Sequence, residues 1–252
     1  MESDTEKGWR IDPVGDRCLM IEFGRRVDPA INRTVHAMAD YLLEHPIAGV
    51  TDVVPAFTTV AVHYRPEAIE AGRTTAPREE QAPAGESPYR RLERAIEAIL
   101  AKGVASEPHP ARTIEIPVCY GGEFGPDLEE VAEACGLTAR QVIELHGASD
   151  HMVYMLGFAP GFPYMGGLDE RLAMPRRSTP RVRIPAGTVA IAREQSAVYT
   201  LETPGGWNLI GRTPLALFTP HASSPTLLRP GDHVRFVPIS RAQFDAMREG
   251  GQ

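Results

Sequence analysis

GFAPGFPYMGG (residues 157–167), PRRSTPRVRIPAG (175–187) and TPGGWNLIGRT (203–213) decide the fold of this chain. Glycine permits backbone angles that other residues avoid, and proline fixes φ and removes a backbone donor. At this density they rule out ordinary helix and demand loops and short strands along a specified path. Working outward, TVAIAR (188–193), AVYTLE (197–202), WNLIGRT (207–213), LALF (215–218) and HVRFVPI (233–239) are strand-like runs between Gly/Pro turns. Many short strands at close spacing predict a β-barrel. TIEIPVCY (113–120) and HMVYMLGF (151–158) supply further strands upstream. Between them the pattern predicts a helix from near Pro126 to Gly136, and a second, capped by Thr138, through Leu145. Pro230-Gly231-Asp232 turns into the last strand, and Ser240 caps a C-terminal helix.

The N-terminal part has a different grain. CLMIEFG (18–24) is β-like. Asp28 and Pro29 form an N-cap with proline at the first helical position, and Ile31, Val35, Met38, Leu42 and Leu43 follow at helical spacing, predicting a helix over 29–44. Residues 50–64 read as two strands around Pro55, which cannot donate to a ladder. Residues 66–88 are polar, alanine- and proline-rich, and read as a flexible loop. Helical period returns over 89–102, with Gly103 as C-cap. The chain is therefore expected to be α+β. Residues 1–105 form a small N-terminal α/β sandwich and 106–252 a β-barrel domain, joined by a linker at 106–112. No internal repeat is present.

Charge is distributed unevenly. Between Arg171 and Arg212 lie seven arginines (171, 176, 177, 181, 183, 193 and 212) against two acids, Glu194 and Glu202, in a chain of net charge −7. A cationic island on an acidic body suits an anionic small molecule, because guanidinium offers a planar fork for carboxylate or phosphate. The acidic total, with no lysine-rich tract, argues against nucleic-acid binding. No apolar run approaches a membrane span, and MESDTEKGWR lacks the apolar core of a signal peptide. Cys18, Cys119 and Cys135 have no metal or redox spacing, so reduced thiols in a cytoplasmic protein are expected. No P-loop, no GxGxxG and no paired-histidine spacing occurs, so no metal ligand is assigned.

The candidate site residues follow from residue type. In 157–167 the glycines let backbone N–H groups approach a ligand, walled by Phe158, Phe162 and Tyr164; a rigid structural turn is the competing reading. If 181–184 is a strand, Arg181 and Arg183 share one face and could clamp an anion; the alternative is solvated arginine paired with distant acids. Trp207 reads as core, with Asn208 and Arg212 open to site roles. His146, near a helix C-terminus, reads as a capping or packing residue or as a polar site residue. Asp127, in a helix first turn, reads as a dipole or capping acid.

Taken together, IPVCYGGEFGPDLEEVA, Leu145-His146, VYMLGFAPGFPYMGGL, PRRSTPRVRIPAGTVAIA, YTLETPGGWNLIGRTP and PGDHVRF resemble the allophanate hydrolase subunit one family. The resemblance is strong over about 113–240 and weaker over 9–64. It departs from the family in a longer loop at 66–88 and in Pro163, where alanine is common. It implies that the C-terminal domain is a cyclophilin-like β-barrel. It further implies the B subunit of a 5-oxoprolinase, which opens 5-oxoproline to glutamate with ATP, accompanied by Mg²⁺. The partners so implied are a C subunit, which is allophanate hydrolase subunit two-like, and a ring-opening A subunit. Other family members suggest a histidine-kinase inhibitor, or a carboxyltransferase component of a biotin-dependent urea carboxylase. A free-standing prolyl isomerase rests on fold analogy alone. On the enzymatic reading, His146, Arg176, Arg181 and Arg212 are the expected catalytic or anion-contacting residues. Gly157, Phe158, Pro160, Gly161, Tyr164 and Asn208 are expected to line the substrate pocket.

Overall fold

The computed structural model describes residues 8–71, 86–103 and 112–250. The chain divides into two compact units, Met1–His109 and Pro110–Gln252. The expected linker at 106–112 falls almost wholly outside the described residues.

The first unit is a four-stranded antiparallel sheet in the order β1-β2-β4-β3, formed by β1 (Arg10–Pro13), β2 (Cys18–Glu22), β3 (Val50–Pro55) and β4 (Thr59–Tyr64). Alternation along β2 and β4 turns Leu19, Ile21, Val60 and Val62 to one face. There they meet Val35, Met38 and Leu42 of α1 (Pro29–Glu44), and Leu92 and Ile96 of α3 (Pro88–Lys102), in one core. Asp28 caps α1 as its sequence predicts, accepting from the N–H groups of Ala30 and Ile31 at 2.7 and 3.2 Å. Pro55 sits at the end of β3, where a missing donor does least harm. Two expectations need correction. The reading of 66–88 as one flexible loop is wrong at both ends: α2 (Pro66–Ala71) is helical and α3 already begins at Pro88, while 72–85 lie outside the described residues. β1 has no counterpart among the expected strands, because an edge strand of four residues with little burial leaves almost no pattern.

The second unit is a closed barrel with strand order β10-β7-β6-β13-β5-β12-β9. The strands are β5 (Thr113–Tyr120), β6 (His151–Leu156), β7 (Pro163–Gly166), β9 (Thr188–Ala192), β10 (Gln195–Val198), β12 (Asn208–Arg212) and β13 (His233–Pro238). The cyclophilin-like expectation holds at the level of fold. LALF (215–218) is not a strand; Phe218 makes only an isolated bridge to Thr226. The helix expected from Pro126 begins at Leu128 as α4 (Leu128–Ala134). Thr138 caps α5 (Ala139–Ala148) through a capping box with Gln141, and α6 (Arg241–Gly250) follows the last strand.

β9 explains how the barrel acquires a second layer. All five of its residues are buried. Val189 and Ile191 join the main core with Ile116, Val153, Met165, Ile210 and Phe236. Ala190 and Ala192 face the other way, with Ala197 and Leu209, against Phe162, Tyr199 and Trp207. Alanine on that outward face leaves room for large rings to lie on the wall. A two-stranded ribbon of β8 (Arg181–Ile184) and β11 (Thr203–Gly205) supplies Ile184 to the same layer.

Candidate functional site

The outer aromatic layer is built around Phe162. Its ring lies edge-on to Tyr164, Tyr199 and Trp207, with centroids 5.0, 5.2 and 6.2 Å away, and to Phe158 at 5.2 Å. Edge-to-face packing of this kind adds to the stabilisation from burial alone. Gly205 is required here. A Cβ on it would fall 2.2 Å from the Tyr199 hydroxyl, so only glycine lets the phenol reach the ribbon. Burial raises the Tyr199 pKa to about 12, and the Trp207 backbone N–H bonded to it acts in the opposite direction.

The GFAPGF loop leads from this layer to solvent. Phe158 adopts φ 67°, in the left-handed region a non-glycine residue rarely enters, and yet the residue is 63% exposed. Such a conformation costs on the order of 1 kcal/mol and persists only where the surroundings enforce it. Here Gly157 N–H donates to Phe162 C=O at 3.0 Å, Phe162 N–H to Ala159 C=O at 3.0 Å, and the Thr200 hydroxyl to Pro160 C=O at 2.7 Å. The loop encloses an open cleft of about 360 Å³ lined by residues 156–161.

Of the arginines in the island, most already have acids. Arg171 pairs with Asp169, Arg177 with Asp127 and Glu130, Arg181 with Asp127, and Arg183 with Glu202. Arg181 and Arg183 therefore diverge to different partners rather than forming a joint clamp. Asp127 is the hub, with only 3% of its side chain exposed. It stands at the N-cap position of α4 but makes no side-chain capping bond, so of the two expected roles, dipole or capping acid, the capping bond is absent. Arg176, Arg193 and Arg212 have no acid among the described residues, and of these Arg176 lies against the aromatic layer. Its side chain is exposed, its guanidinium lies 5.8 Å from the centre of the Trp207 ring, and among the described residues it has no ion-pair partner. It also faces Tyr164, whose hydroxyl is pushed up by burial and partly brought back by the Arg176 charge.

The remaining expected site residues are placed elsewhere. His146 is fully buried and spans the barrel lumen. Its Nδ1 lies 2.8 Å from the Tyr120 hydroxyl on β5, and its Nε2 lies 3.2 Å from the Ser196 hydroxyl on β10, on opposite walls. Burial, reinforced by neighbouring His151, holds its pKa well below the ordinary value, so the ring is neutral. A neutral imidazole has one donor and one acceptor nitrogen, which suits two hydroxyl partners. His151 is neutral too, its pKa lowered to about 4 by burial. Its Nε2 lies 2.9 Å from the His146 carbonyl. A carbonyl can only accept, so Nε2 carries the proton and buried Nδ1 has no partner among the described residues. Asn208 is buried and donates to the carbonyls of Pro175 at 2.9 Å and Ile191 at 3.4 Å. Arg212 lies at the far end of β12, about 15 Å along the strand from Trp207 at strand rise. There its Nε donates to Ala186 C=O at 2.9 Å and its guanidinium lies 5.8 Å from the Phe124 ring centre. Burial and nearby Arg248 lower its pKa.

Thus Phe158, Pro160, Gly161, Tyr164 and Arg176 gather around the outer layer, while His146, Arg181, Asn208 and Arg212 serve other contacts. Sequence reasoning missed Asp127 as a hub, because its arginine partners lie about fifty residues downstream. The signal available was only an acid in GPDLEEVA and an arginine-rich segment far downstream.

A closed barrel with an aromatic outer layer, an arginine-rich strap and a preceding sheet-and-helix unit defines one class of domain. The chain belongs to the carboxyltransferase domain, subdomain C and D family, whose pattern matches residues 9–228. It is similar to the 5-oxoprolinase B subunit of Bacillus subtilis (strain 168), with 47% identity over 242 residues, 96% of this chain and 97% of that one. It is also similar to the 5-oxoprolinase B subunit of Escherichia coli O157:H7, 42% identical over 226 residues and covering 89% and 94% of the two chains. Among solved structures, TTHA0988 superposes with a TM-score of 0.72 at 38% identity; the match covers 89% of this chain and 40% of that longer one.

Proposed function

We propose that this chain is the B subunit of an ATP-dependent 5-oxoprolinase and that Arg176 holds the substrate carboxylate. Full-length similarity to two proteins of that name supports the assignment. The observation that carries the site is a guanidinium on Trp207 with no ion-pair partner among the described residues, beside Tyr164 and a strained, exposed phenylalanine loop.

The chemistry requires such a group. A lactam resists hydrolysis because amide resonance must be lost. Transfer of the γ-phosphoryl of ATP to the amide oxygen releases ADP and makes the carbon electrophilic. Water then adds, the C–N bond breaks, and the ring nitrogen takes a proton; a second water releases phosphate, leaving glutamate. Fixing the carboxylate with a planar guanidinium orients the ring for that sequence. ATP, with its Mg²⁺, is a substrate of the assembly. A C subunit and a ring-opening A subunit are the expected partners, and this chain contributes the carboxylate-holding part.

The test is ATP-dependent glutamate release from 5-oxoproline by the complex reconstituted with its partner subunits. Omitting this chain should abolish release. Release that persists undiminished without it would overturn the assignment. A second reading draws on the family's own description, a carboxyltransferase domain. Its mark is biotin-dependent carboxyl transfer, which avidin blocks; a glutamate-forming reaction insensitive to avidin excludes it.

A further inference from the structure

We infer that Asp127 is a positioning residue that fixes where Arg176 can reach. The inference rests on the carboxylate role of Arg176 for its functional half, but not for its structural half.

Residues 175–180 contain no helix or strand, so their path depends on the bonds that pin them. Pro175 is held at its carbonyl by Asn208 at 2.9 Å. Arg177 is held twice: its backbone N–H donates to Gly206 C=O at 2.7 Å, and its Nη1 donates to Asp127 Oδ1 at 3.1 Å and to Glu130 at 2.8 Å. Arg181, where the segment becomes β8, grips both Asp127 oxygens at 2.6 and 2.9 Å. Arg176 lies between the first two pins. Asp127 itself is locked to the barrel wall, because its N–H donates to Leu209 C=O at 3.0 Å and its Oδ2 accepts from Leu209 N–H at 2.7 Å.

One buried carboxylate therefore ties the strap to β12, the strand that Trp207 immediately precedes. Arg177 turns inward to that carboxylate, and its neighbour Arg176 lies outward over the Trp207 ring. The two oxygens differ in role. Oδ2 bonds β12 and one nitrogen of Arg181, whereas Oδ1 faces Arg177 and the other nitrogen of Arg181. Asp127→Asn can keep the oxygen toward Leu209 and Arg181 and set its NH₂ against the two guanidiniums at the Oδ1 position. That removes the charge and releases the strap without removing the anchor on β12.

The experiment is a double-mutant cycle in the reconstituted complex, read as KM for 5-oxoproline, alongside acrylamide quenching of Trp207 in a Trp9→Phe background. Asp127→Asn should raise KM roughly tenfold, add nothing when Arg176→Ala is already present, and make Trp207 about twofold more quenchable. Effects of Asp127→Asn and Arg176→Ala that multiply, or unchanged quenching, would overturn the inference. Arg177→Met cuts the side-chain link from Arg177 to Asp127 and keeps its backbone bond to Gly206, while leaving Arg181 and Leu209 bound to Asp127. It is read by the same two criteria if Asp127→Asn does not fold. If Arg176→Ala leaves KM unchanged, the carboxylate role of Arg176 fails, and the positioning role is decided by Trp207 quenching alone.

Discussion

At the residue scale, identity in the sequence and job in the fold separate most clearly at His146 and Arg181. Both are candidates by residue type, and both have their polar atoms committed inside the protein. Two neutral buried histidines have a consequence for pH. A histidine whose folded pKa lies below its unfolded value stabilises the fold fully above about pH 6.5. That stability is lost as pH falls, because the unfolded chain takes up a proton that the core refuses. For His151 the loss runs from about pH 6.5 down to about 4, at about 1.4 kcal/mol per pH unit. The ring resonances of His151 should therefore show almost no titration by NMR above about pH 5, and those of His146 should titrate well below the ordinary histidine range. A midpoint near 6.5 for either would contradict the packing described. Arg181→Ala should destabilise the protein by about 3 kcal/mol in urea melts, since it strips a buried carboxylate of its bidentate partner. Unaltered stability would show that Asp127 does not need it.

At the element scale, the sequence is readable wherever pattern and punctuation agree. α1 shows an N-cap, a first-turn proline and helical spacing all at once, and it forms over the residues that these signals mark. β9 is legible as a strand but not as one buried on both faces. Alternation of Val189 and Ile191 with Ala190 and Ala192 looks like an ordinary half-buried strand until Trp207 and Phe162 arrive from distant segments. The ion cluster is illegible for the same reason: nothing local to Asp127 announces Arg177 or Arg181. Gly205 tests the outer layer directly. Gly205→Ala should destabilise by about 1–3 kcal/mol, because the new methyl and the Tyr199 hydroxyl cannot share the space. Tyr199→Phe in the same chain should recover part of that loss in urea melts. Failure of the second change to relieve the first would disprove the clash.

At the scale of the whole molecule, each unit carries its own core, and among the described residues the barrel's two apolar layers are built from residues after 112. A fragment beginning at Arg112 should therefore melt cooperatively on its own, and a non-cooperative melt would show that it borrows stability from the first unit. Family membership and fold follow from the long-range order of motifs, which a single sequence displays well. The choice of one arginine out of seven does not, because it depends on which guanidiniums the folded chain has already neutralised and on which of the three without an acid among the described residues, Arg176, Arg193 and Arg212, lies over the aromatic layer. Comparing KM for 5-oxoproline between Arg176→Ala and Arg183→Ala in the reconstituted complex measures that choice most directly. Arg183 belongs to the same island but is exposed and paired with Glu202. The predicted result is a rise of about tenfold or more for Arg176→Ala, comparable to losing a charge-assisted hydrogen bond, and little change for Arg183→Ala. Equal values for the two variants would contradict the account.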